Sequence, residues 1–337
     1  MGSEYFSIKF ENDNLIFLDQ TKLPLEENYI SSDDYKRIAE AIEKLEIRGA
    51  PLIGIAAAYA LALSIKNSSK ESLIENFDLA FDRLHRTRPT AVNLFHALNE
   101  IKNVFDANKS SENIYQIVLE KAKQIHQDDV IKCERIGLNG LAIFKKKSTI
   151  LTHCNTGKLA TGGDGTAFSV IKKGFEKGLV EYVYADETRP LLQGLRLTSF
   201  ELERSGIPFA IQSDSMAAVL MQQSKIDLVI TGADRIALNG DSANKIGTYN
   251  LAVLCNFHNI PFYIAAPTTT IDTKIAAGSE IEIEFRNKNE LLEINGVQVA
   301  PNHYKTFSPA FDVTPSHLIS GIITEDKIYT FPYNFIK

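Results

Sequence analysis

The chain has few cysteines and no sequence signal for secretion. Its 337 residues include three cysteines, Cys133, Cys154 and Cys255, at wide spacings and without a Cys-x-x-Cys pair. An odd number at these spacings argues against a disulfide scaffold and against a structural zinc site. The first residues, MGSEYFSIKF, lack a basic segment followed by an apolar core, so a secretion signal is not expected. We therefore expect a cytoplasmic protein without a bound metal.

The chain also lacks an excess of positive charge, a long apolar run and a nucleotide-binding motif. Its formal net charge of -6 gives no support for nucleic acid as a partner, although a small anionic substrate is not excluded. The most apolar run, residues 50–65, is shorter than the roughly 20 residues that a bilayer span needs, which predicts a buried helix and no membrane contact. The glycine-rich turn at residues 161–168 matches neither G-x-G-x-x-G nor the P-loop, so no nucleotide cofactor is expected.

Hydrophobic periodicity divides the chain into two different halves. In the first, alternation over residues 6–18 predicts a hairpin, and apolar residues at helical spacing predict helices from Tyr35, from Pro51 and onward to Phe144. In the second, short apolar strands alternate with helices, which predicts a parallel sheet, with strands at residues 150–151, 182–184, 209–211, 228–230, 262–264 and 319–324. We expect an α/β protein with a mostly helical N-terminal domain at residues 1–145 and a parallel-sheet domain at residues 146–337.

The stretch from Ile226 to Lys245 has the pattern of a ligand-binding loop. A buried strand breaks at Gly232 and delivers Asp234 just past its end; a turn then leads into a predicted helix with Asn244 and Lys245 in its first turn. In open α/β sheets ligands bind beyond the carboxyl ends of strands, and a lysine beside free helix N–H groups suits a phosphate. The alternative is a solvated loop, and this stretch alone does not decide between them.

The motif THCNTG places Cys154 at the carboxyl end of the first strand of the second half. A cysteine near helix N-termini or a cation can serve as a thiolate nucleophile or base. The alternative is a small buried apolar residue, which is what we expect for Cys133 and Cys255. We expect His153 to be packed or hydrogen-bonded rather than to act as a base.

Three further loops carry polar residues that suit a sugar phosphate. In ADETRPLLQG, the acids Asp186 and Glu187 could simply pair with Arg189 on the surface. Gln193, one turn into a predicted helix, is placed for a sugar hydroxyl. RGAPLIG and RTRPTAVNL each put an arginine, Arg48 and Arg88, before a helix start, where it could clamp a phosphate. For either arginine alone, a solvated side chain is the simpler interpretation.

Taken together, eight motifs resemble those of a known family: RGAPLIG, RPTAVNL, THCNTG, DETRPLLQG, ITGADRI, NGDSANKIGTY, AAPTTTID and AFDVTP, in this order. They resemble the methylthioribose-1-phosphate isomerases of methionine salvage, whose family includes regulatory subunits of the translation initiation guanine-nucleotide exchange factor. The resemblance implies a helical N-terminal domain, a Rossmann-like C-terminal domain and a homodimer without metal or nucleotide cofactor. It also implies conversion of S-methyl-5-thioribose 1-phosphate to S-methyl-5-thioribulose 1-phosphate.

The same resemblance implies the site residues, position by position. Cys154 and Asp234 match the catalytic pair, and the matched substrate-contacting positions are Arg48, Gly49, Ala50, Arg88, Gln193, Asn244 and Lys245. Regulatory relatives generally lack this full set, which favours an enzyme.

The chemistry gives its own reason for such a pair. A ribose 1-phosphate needs an acid at the ring oxygen to open, and Asp234 would need a pKa raised by an apolar setting to supply it. Cys154 could then act as base toward C2 through an enediol, or support a direct hydride shift.

The chain departs from the isomerase pattern at Lys158, at Gly163-Asp164, over Glu280–Arg286 and at Ser308. These positions leave open the group carried at C5 of the sugar. The alternatives are an isomerase of a related pentose 1-phosphate, such as 5-deoxyribose 1-phosphate, and a non-catalytic regulatory protein on the same fold.

Overall fold

The computed structural model describes residues 5–88, 92–294 and 296–335, and these form two compact units. The first unit comprises the described residues of Met1–Glu134 together with Thr156–Gly165. The second comprises Arg135–Asn155 and the described residues of Thr166–Lys337. The chain therefore passes from one unit to the other three times, whereas the predicted domain division after residue 145 stays a prediction.

The first unit combines a small antiparallel sheet with helices. Its elements are β1 (Ile8–Glu11), β2 (Asn14–Leu18), β3 (Tyr29–Ser32), α1 (Tyr35–Glu43), α2 (Ala50–Ile65), α3 (Leu73–His85), α4 (Val92–Asn108) and α5 (Ile114–Gly140), the last of which continues into the second unit. The predicted hairpin is confirmed by β1 and β2, which pair with Ile8 opposite Phe17. The sequence did not predict β3, which completes the sheet beside β2.

Helix α2 organises the core of the first unit. It is buried along nearly its whole length, which confirms the prediction from its apolar sequence. Its alanines allow close packing with α4, where Gly54 lies against the Asn93 carbonyl. Among the described residues no helix has the length and apolar character needed to cross a membrane.

The second unit is built on a seven-stranded sheet and a smaller four-stranded sheet, counted over the described residues. Its elements are β4 (Ser148–Thr152), α6 (Ala167–Glu176), β5 (Val180–Asp186), α7 (Ser199–Arg204), β6 (Phe209–Gln212), α8 (Ala217–Gln222), β7 (Leu228–Thr231), β8 (Arg235–Ala237), β9 (Ser242–Lys245), α9 (Thr248–His258), β10 (Phe262–Ala265), β11 (Ile271–Asp272), α10 (Asn289–Leu292), β12 (Glu293–Ile294), β13 (Val297–Gln298), β14 (Phe311–Thr314), β15 (Gly321–Ile323) and β16 (Ile328–Tyr329).

The large sheet has the order β16-β15-β10-β7-β4-β5-β6, and every neighbouring pair is parallel except β15 with β16. All six predicted strands are confirmed in it. The apolar sequence of β7 is buried on both faces, as expected for the centre of a parallel sheet covered by helices. The predicted α/β class is therefore confirmed.

The predicted helix start at Asn244 and Lys245 is wrong. Both residues lie on β9, which pairs with β8 and, in antiparallel register, with β14, where Asn244 faces Asp312. Two glycines explain the difference: Gly240, with φ +90°, closes the β8–β9 turn, and Gly247, with φ +104°, delays the helix until Thr248.

Candidate active site

Cys154 lies two residues beyond the carboxyl end of β4, in a left-handed backbone conformation. Its φ is +61°, in the left-handed region that residues with a β-carbon rarely adopt. Its N–H donates to Thr188 Oγ1 at 2.8 Å, and its carbonyl accepts from Thr198 Oγ1 at 2.5 Å. The side chain is buried, and the chain's three thiols form no disulfide. Both peptide groups of the cysteine are thus fixed.

Asp234 follows the strand next to that of Cys154. Strands β4 and β7 are adjacent and parallel, with Leu151 opposite Val229, so both residues lie beyond the same edge of the sheet. Asp234 is half-buried, and its N–H donates to the Ala243 carbonyl of β9 at 2.9 Å. The expectation that both residues follow strand ends is confirmed, and the structure adds that the two strands are neighbours, while the catalytic roles stay a prediction.

His153 forms a buried ion pair between two strand ends. Its Nδ1 lies 2.9 Å from Asp186 Oδ2, and its Nε2 lies 2.9 Å from the carbonyl oxygen of Ile246. The carbonyl can only accept, so Nε2 donates to it, and one proton lies between Nδ1 and Asp186 Oδ2, while Asp186 Oδ1 accepts from Gln212 Nε2. Burial alone lowers the pKa of the His153 imidazole, but the hydrogen bond and charge of Asp186 outweigh it and raise that pKa above its ordinary value.

The His153–Asp186 pair decides two predictions that were made from the sequence. The prediction of a packed or hydrogen-bonded His153 is confirmed, and the surface pairing suggested for Asp186 with Arg189 is wrong, because Asp186 is 1% exposed and faces His153. Arg189 instead donates its N–H to Asp214 and its guanidinium to the Pro190 carbonyl. The sequence could not show this, because Asp186 and His153 meet only once β5 pairs with β4.

Within the described ranges, His153, Asp186 and Asp214 are the one group whose ligand atoms are close enough to hold a metal ion. Their hydrogen bonds argue against that use. Both nitrogens of His153 face oxygen acceptors, and the two oxygens of Asp214 accept from the N–H groups of Thr188 and Arg189 at 2.7 and 2.8 Å. The cluster therefore fits a hydrogen-bond network better than a metal centre.

Gln193 places a buried acceptor near this edge of the sheet. The predicted position one turn into a helix is wrong: Gln193 directly precedes a π-helix, Gly194–Thr198, which leads into α7. The side chain is 6% exposed, and its Oε1 has no hydrogen-bond partner among the described residues. A buried acceptor without a donor is costly, so this atom suits a ligand hydroxyl.

Asn244 and Lys245 are held by the strand pairing of the small sheet and by the start of α9. Asn244 Nδ2 donates to Thr248 Oγ1 at 2.9 Å. Lys245 Nζ donates to the Ala310 carbonyl at 2.9 Å and lies 4.6 Å from the centre of the Phe311 ring. The ammonium charge is thus fixed by residues just before and at the start of β14, a support that the predicted helix would not have supplied.

The remaining predicted site residues belong to the first unit. Gly49 precedes α2 with φ +92°, and a Cβ there would lie 2.4 Å from the Cα of Ala160, so the position requires glycine. Ala50 is the first residue of α2. Arg48 and Arg88 are half-buried and interact with other groups of the protein. Pro89 and Thr90 of the predicted arginine loop lie outside the described residues.

Sequence reasoning missed the residues that support Cys154. Thr188, Thr198 and Asp214 carry the hydrogen bonds to and behind its peptide groups, yet none was singled out. The motif DETRPLLQG contained one signal, a threonine at a strand end within a cluster of charged residues. Its partner could not be read without the strand order.

The fold and these loops define an α/β protein with a candidate active site at the carboxyl edge of its parallel sheet. The Initiation factor 2 subunit family matches residues 46–328, and the chain belongs to this family. The methylthioribose-1-phosphate isomerase of Caldicellulosiruptor saccharolyticus is 50% identical over 332 residues, which cover 96% of each chain.

Two solved structures are also similar. The 5-methylthioribose 1-phosphate isomerase from Pyrococcus horikoshii OT3 has a TM-score of 0.93 and 39% identity, with 98% of this chain and 94% of that chain covered. The translation initiation factor eIF-2B subunit delta from A. fulgidus has a TM-score of 0.88 and 38% identity, with 98% and 97% covered. The resemblance stated from the motifs is confirmed.

Proposed function

We propose that the protein is an aldose–ketose isomerase that converts S-methyl-5-thioribose 1-phosphate to S-methyl-5-thioribulose 1-phosphate. The relative at 50% identity over nearly the full length supports the substrate. The observation that carries the proposal is the placement of Cys154, in a fixed left-handed conformation, beyond the strand next to that of Asp234.

Each of the two residues has a separate task in this proposal. Asp234 donates a proton to the ring oxygen as the bond from that oxygen to C1 breaks. A hydrogen then moves from C2 to C1, so that C2 is oxidised and C1 is reduced. Cys154, as thiolate, either removes the C2 proton to give an enediol-type intermediate that is protonated at C1, or supports a direct hydride shift. In either route the C2 hydroxyl loses its proton as the carbonyl forms, and this proton restores the Asp234 carboxyl group. Cys154 is only 7% exposed, which keeps bulk water from its thiol in either route.

The proposed substrate contacts fall into two groups, those supported by hydrogen bonding in the structure and those that rest on the resemblance. The buried Oε1 of Gln193 is suited to accept from a sugar hydroxyl, and Lys245, beside Asn244, supplies a positive charge for the phosphate. Arg48, Gly49, Ala50 and Arg88 are proposed as further substrate contacts on the resemblance. We propose that the reaction needs no cofactor.

We also propose a cytoplasmic homodimer with a Rossmann-like second unit. Exposed apolar side chains on α8 and α9 support self-association, because Val219, Val253 and Phe257 are 50%, 41% and 78% exposed. The parallel sheet with its intervening helices supports the Rossmann-like description.

Two observations are reasons to test other sugar substrates and a non-catalytic function as well. The hydroxyl of Ser308 is buried without a hydrogen-bond partner among the described residues, close in sequence to the Ala310 carbonyl that holds Lys245. This favours comparing sugars that differ at C5, including 5-deoxyribose 1-phosphate. The similarity to the eIF-2B delta structure favours including a non-catalytic outcome.

The test is an assay for ketose product from methylthioribose 1-phosphate, 5-deoxyribose 1-phosphate and ribose 1-phosphate, with the variants Cys154→Ser and Asp234→Asn. Both variants are expected to lose at least about 100-fold in kcat with the fold intact. Cys255→Ser, a buried thiol on α9, is the matched control and should retain activity. Wild-type rates in both site variants would contradict the assigned roles, and ketose from none of the sugars would favour the regulatory protein.

The two routes for the hydrogen are separated by C2-deuterated substrate in ordinary water. Extensive loss of deuterium from the ketose is incompatible with a direct hydride shift. Complete retention at C1 is the result expected for the shift.

A further inference from the structure

The backbone of Cys154 is held by two threonine hydroxyls of the second unit, one from the loop after β5 and one from the π-helix before α7. We propose that Thr188 and Thr198 are positioning residues, which hold Cys154 in its left-handed conformation and thereby aim its thiol at the reacting carbon. The proposal rests on the proposed function, because it takes Cys154 as the reacting thiol.

Hydrogen bonds fix the orientation of the Thr188 hydroxyl, so that its oxygen accepts from Cys154. Its hydroxyl donates to the Asp186 carbonyl at 3.0 Å, so its lone pair faces the N–H of Cys154 at 2.8 Å. The residue is fully buried, with φ +64°, and its own N–H donates to Asp214 Oδ1 at 2.7 Å. Cys154 is thus tied through one side chain to the ends of β5 and β6.

Thr198 fixes the other side of the cysteine. It is the last residue of the π-helix, and its hydroxyl donates to the Cys154 carbonyl at 2.5 Å. Asn155 Nδ2 lies 3.3 Å from the same hydroxyl and 2.5 Å from Glu201 Oε2, so the threonine oxygen also accepts. Single-turn π-helices occur often at functional sites, and this one begins directly after Gln193. The segment therefore supports both the thiol and the predicted sugar contact.

The two bonds matter because the conformation is otherwise unfavourable. A β-carbon in the left-handed region clashes with its own carbonyl, so without partners Cys154 would move toward ordinary backbone angles. Such a rotation carries the side chain to another direction. A displacement of about 1 Å of a reacting group can cost about 100-fold in rate without weakening substrate binding.

The experiment replaces each hydroxyl by a methyl group of nearly equal volume, in Thr188→Val and Thr198→Val, and restores it in Thr188→Ser and Thr198→Ser. Thr152→Val is the matched control, because the Thr152 hydroxyl is also buried but donates to the Ile230 carbonyl at 2.9 Å. The readouts are kcat, KM and the pH profile of alkylation at Cys154. Peptide mass spectrometry follows that site, with the chain's other two cysteines as internal references.

We expect the valine variants to lose about 10- to 100-fold in kcat, with KM changed less than about threefold and the alkylation profile of Cys154 shifted. The serine variants should recover most of the activity, and Thr152→Val should stay within about twofold of wild type. If a valine variant does not fold, as judged by circular dichroism, the alanine variant at the same position, which also lacks the hydroxyl, is compared with Thr152→Ala.

Three results would overturn the inference: wild-type kcat in the valine variants, equal losses in Thr152→Val, or no recovery with serine. Failure of the proposed function looks different. In that case wild type would form ketose from none of the sugars, while the alkylation profile would still report whether the threonines position the thiol.

Discussion

Replacing His153 by glutamine is expected to lower the free energy of unfolding by about 3–5 kcal/mol. The variant leaves the Asp186 carboxylate in place, where it is 1% exposed, and removes the imidazolium 2.9 Å away. Glutamine can retain a hydrogen bond but not the charge. The loss therefore comes from a buried anion without its counter-charge, which is far more costly than the loss of one neutral hydrogen bond.

A double-mutant cycle isolates the interaction energy between His153 and Asp186. Asp186→Asn alone leaves the imidazolium without its carboxylate, whereas His153→Gln combined with Asp186→Asn removes both charges and should recover part of the loss. The coupling energy is expected to exceed about 2 kcal/mol. The exposed pair Arg83–Glu43, at 2.7 Å, is the control, and its coupling should stay below about 1 kcal/mol.

The effect also depends on pH in a defined direction. Since the folded-state pKa of His153 is raised above the unfolded value of about 6.5, its stabilisation is fully present below that value. It is lost as pH rises through the folded-state pKa. The difference in stability between wild type and His153→Gln should therefore shrink as pH rises through the folded-state pKa of His153.

Urea unfolding, followed by circular dichroism at a series of pH values, measures both the coupling energy and the dependence of the stability difference on pH. Nitrogen-15 chemical shifts of the His153 ring provide an independent check, because both nitrogens should stay protonated to a higher pH than those of an ordinary imidazole. A coupling energy below about 1 kcal/mol, or a stability difference that does not change with pH, would refute the buried imidazolium.

Two further predictions concern other parts of the chain. Gly49→Ala should destabilise the protein by at least about 2 kcal/mol, because φ is +92° and the added Cβ would lie 2.4 Å from the Cα of Ala160; an unchanged melting temperature would contradict this. Burial raises the pKa of the Cys255 thiol to about 12, so in the folded protein at pH 8.5 it should resist iodoacetamide and react only after unfolding; fast labelling of folded protein would argue against it.

The parallel sheet could be predicted from sequence because its signal is local. Each strand, such as Leu228–Thr231, is a short run of apolar residues bounded by turn residues, and burial on both faces needs no knowledge of the partner strands. The prediction that Cys154 and Asp234 follow strand ends succeeded for the same reason. Their catalytic roles came from the resemblance and stay predictions.

The errors arose where a distant partner decides the structure. Asn244 and Lys245 are strand residues because β14 pairs with them, and its residues lie more than sixty positions later in the chain. The π-helix before α7 was likewise read as ordinary helix, since residue spacing does not separate the two. The partner of His153 could be recognised only after β5 was known to lie beside β4.

The insertion of Thr156–Gly165 into the first unit affects how the protein can be completed during synthesis. Gly49 packs against Ala160, so the first unit lacks part of its packing surface until this later segment has left the ribosome. By then β4 of the second unit has already been made. Neither unit is one continuous stretch of chain, and a fragment that ends before residue 156 would lack the residues that cover Gly49. Completion of the first unit therefore waits until Arg135–Asn155, the first segment of the second unit, has been synthesised.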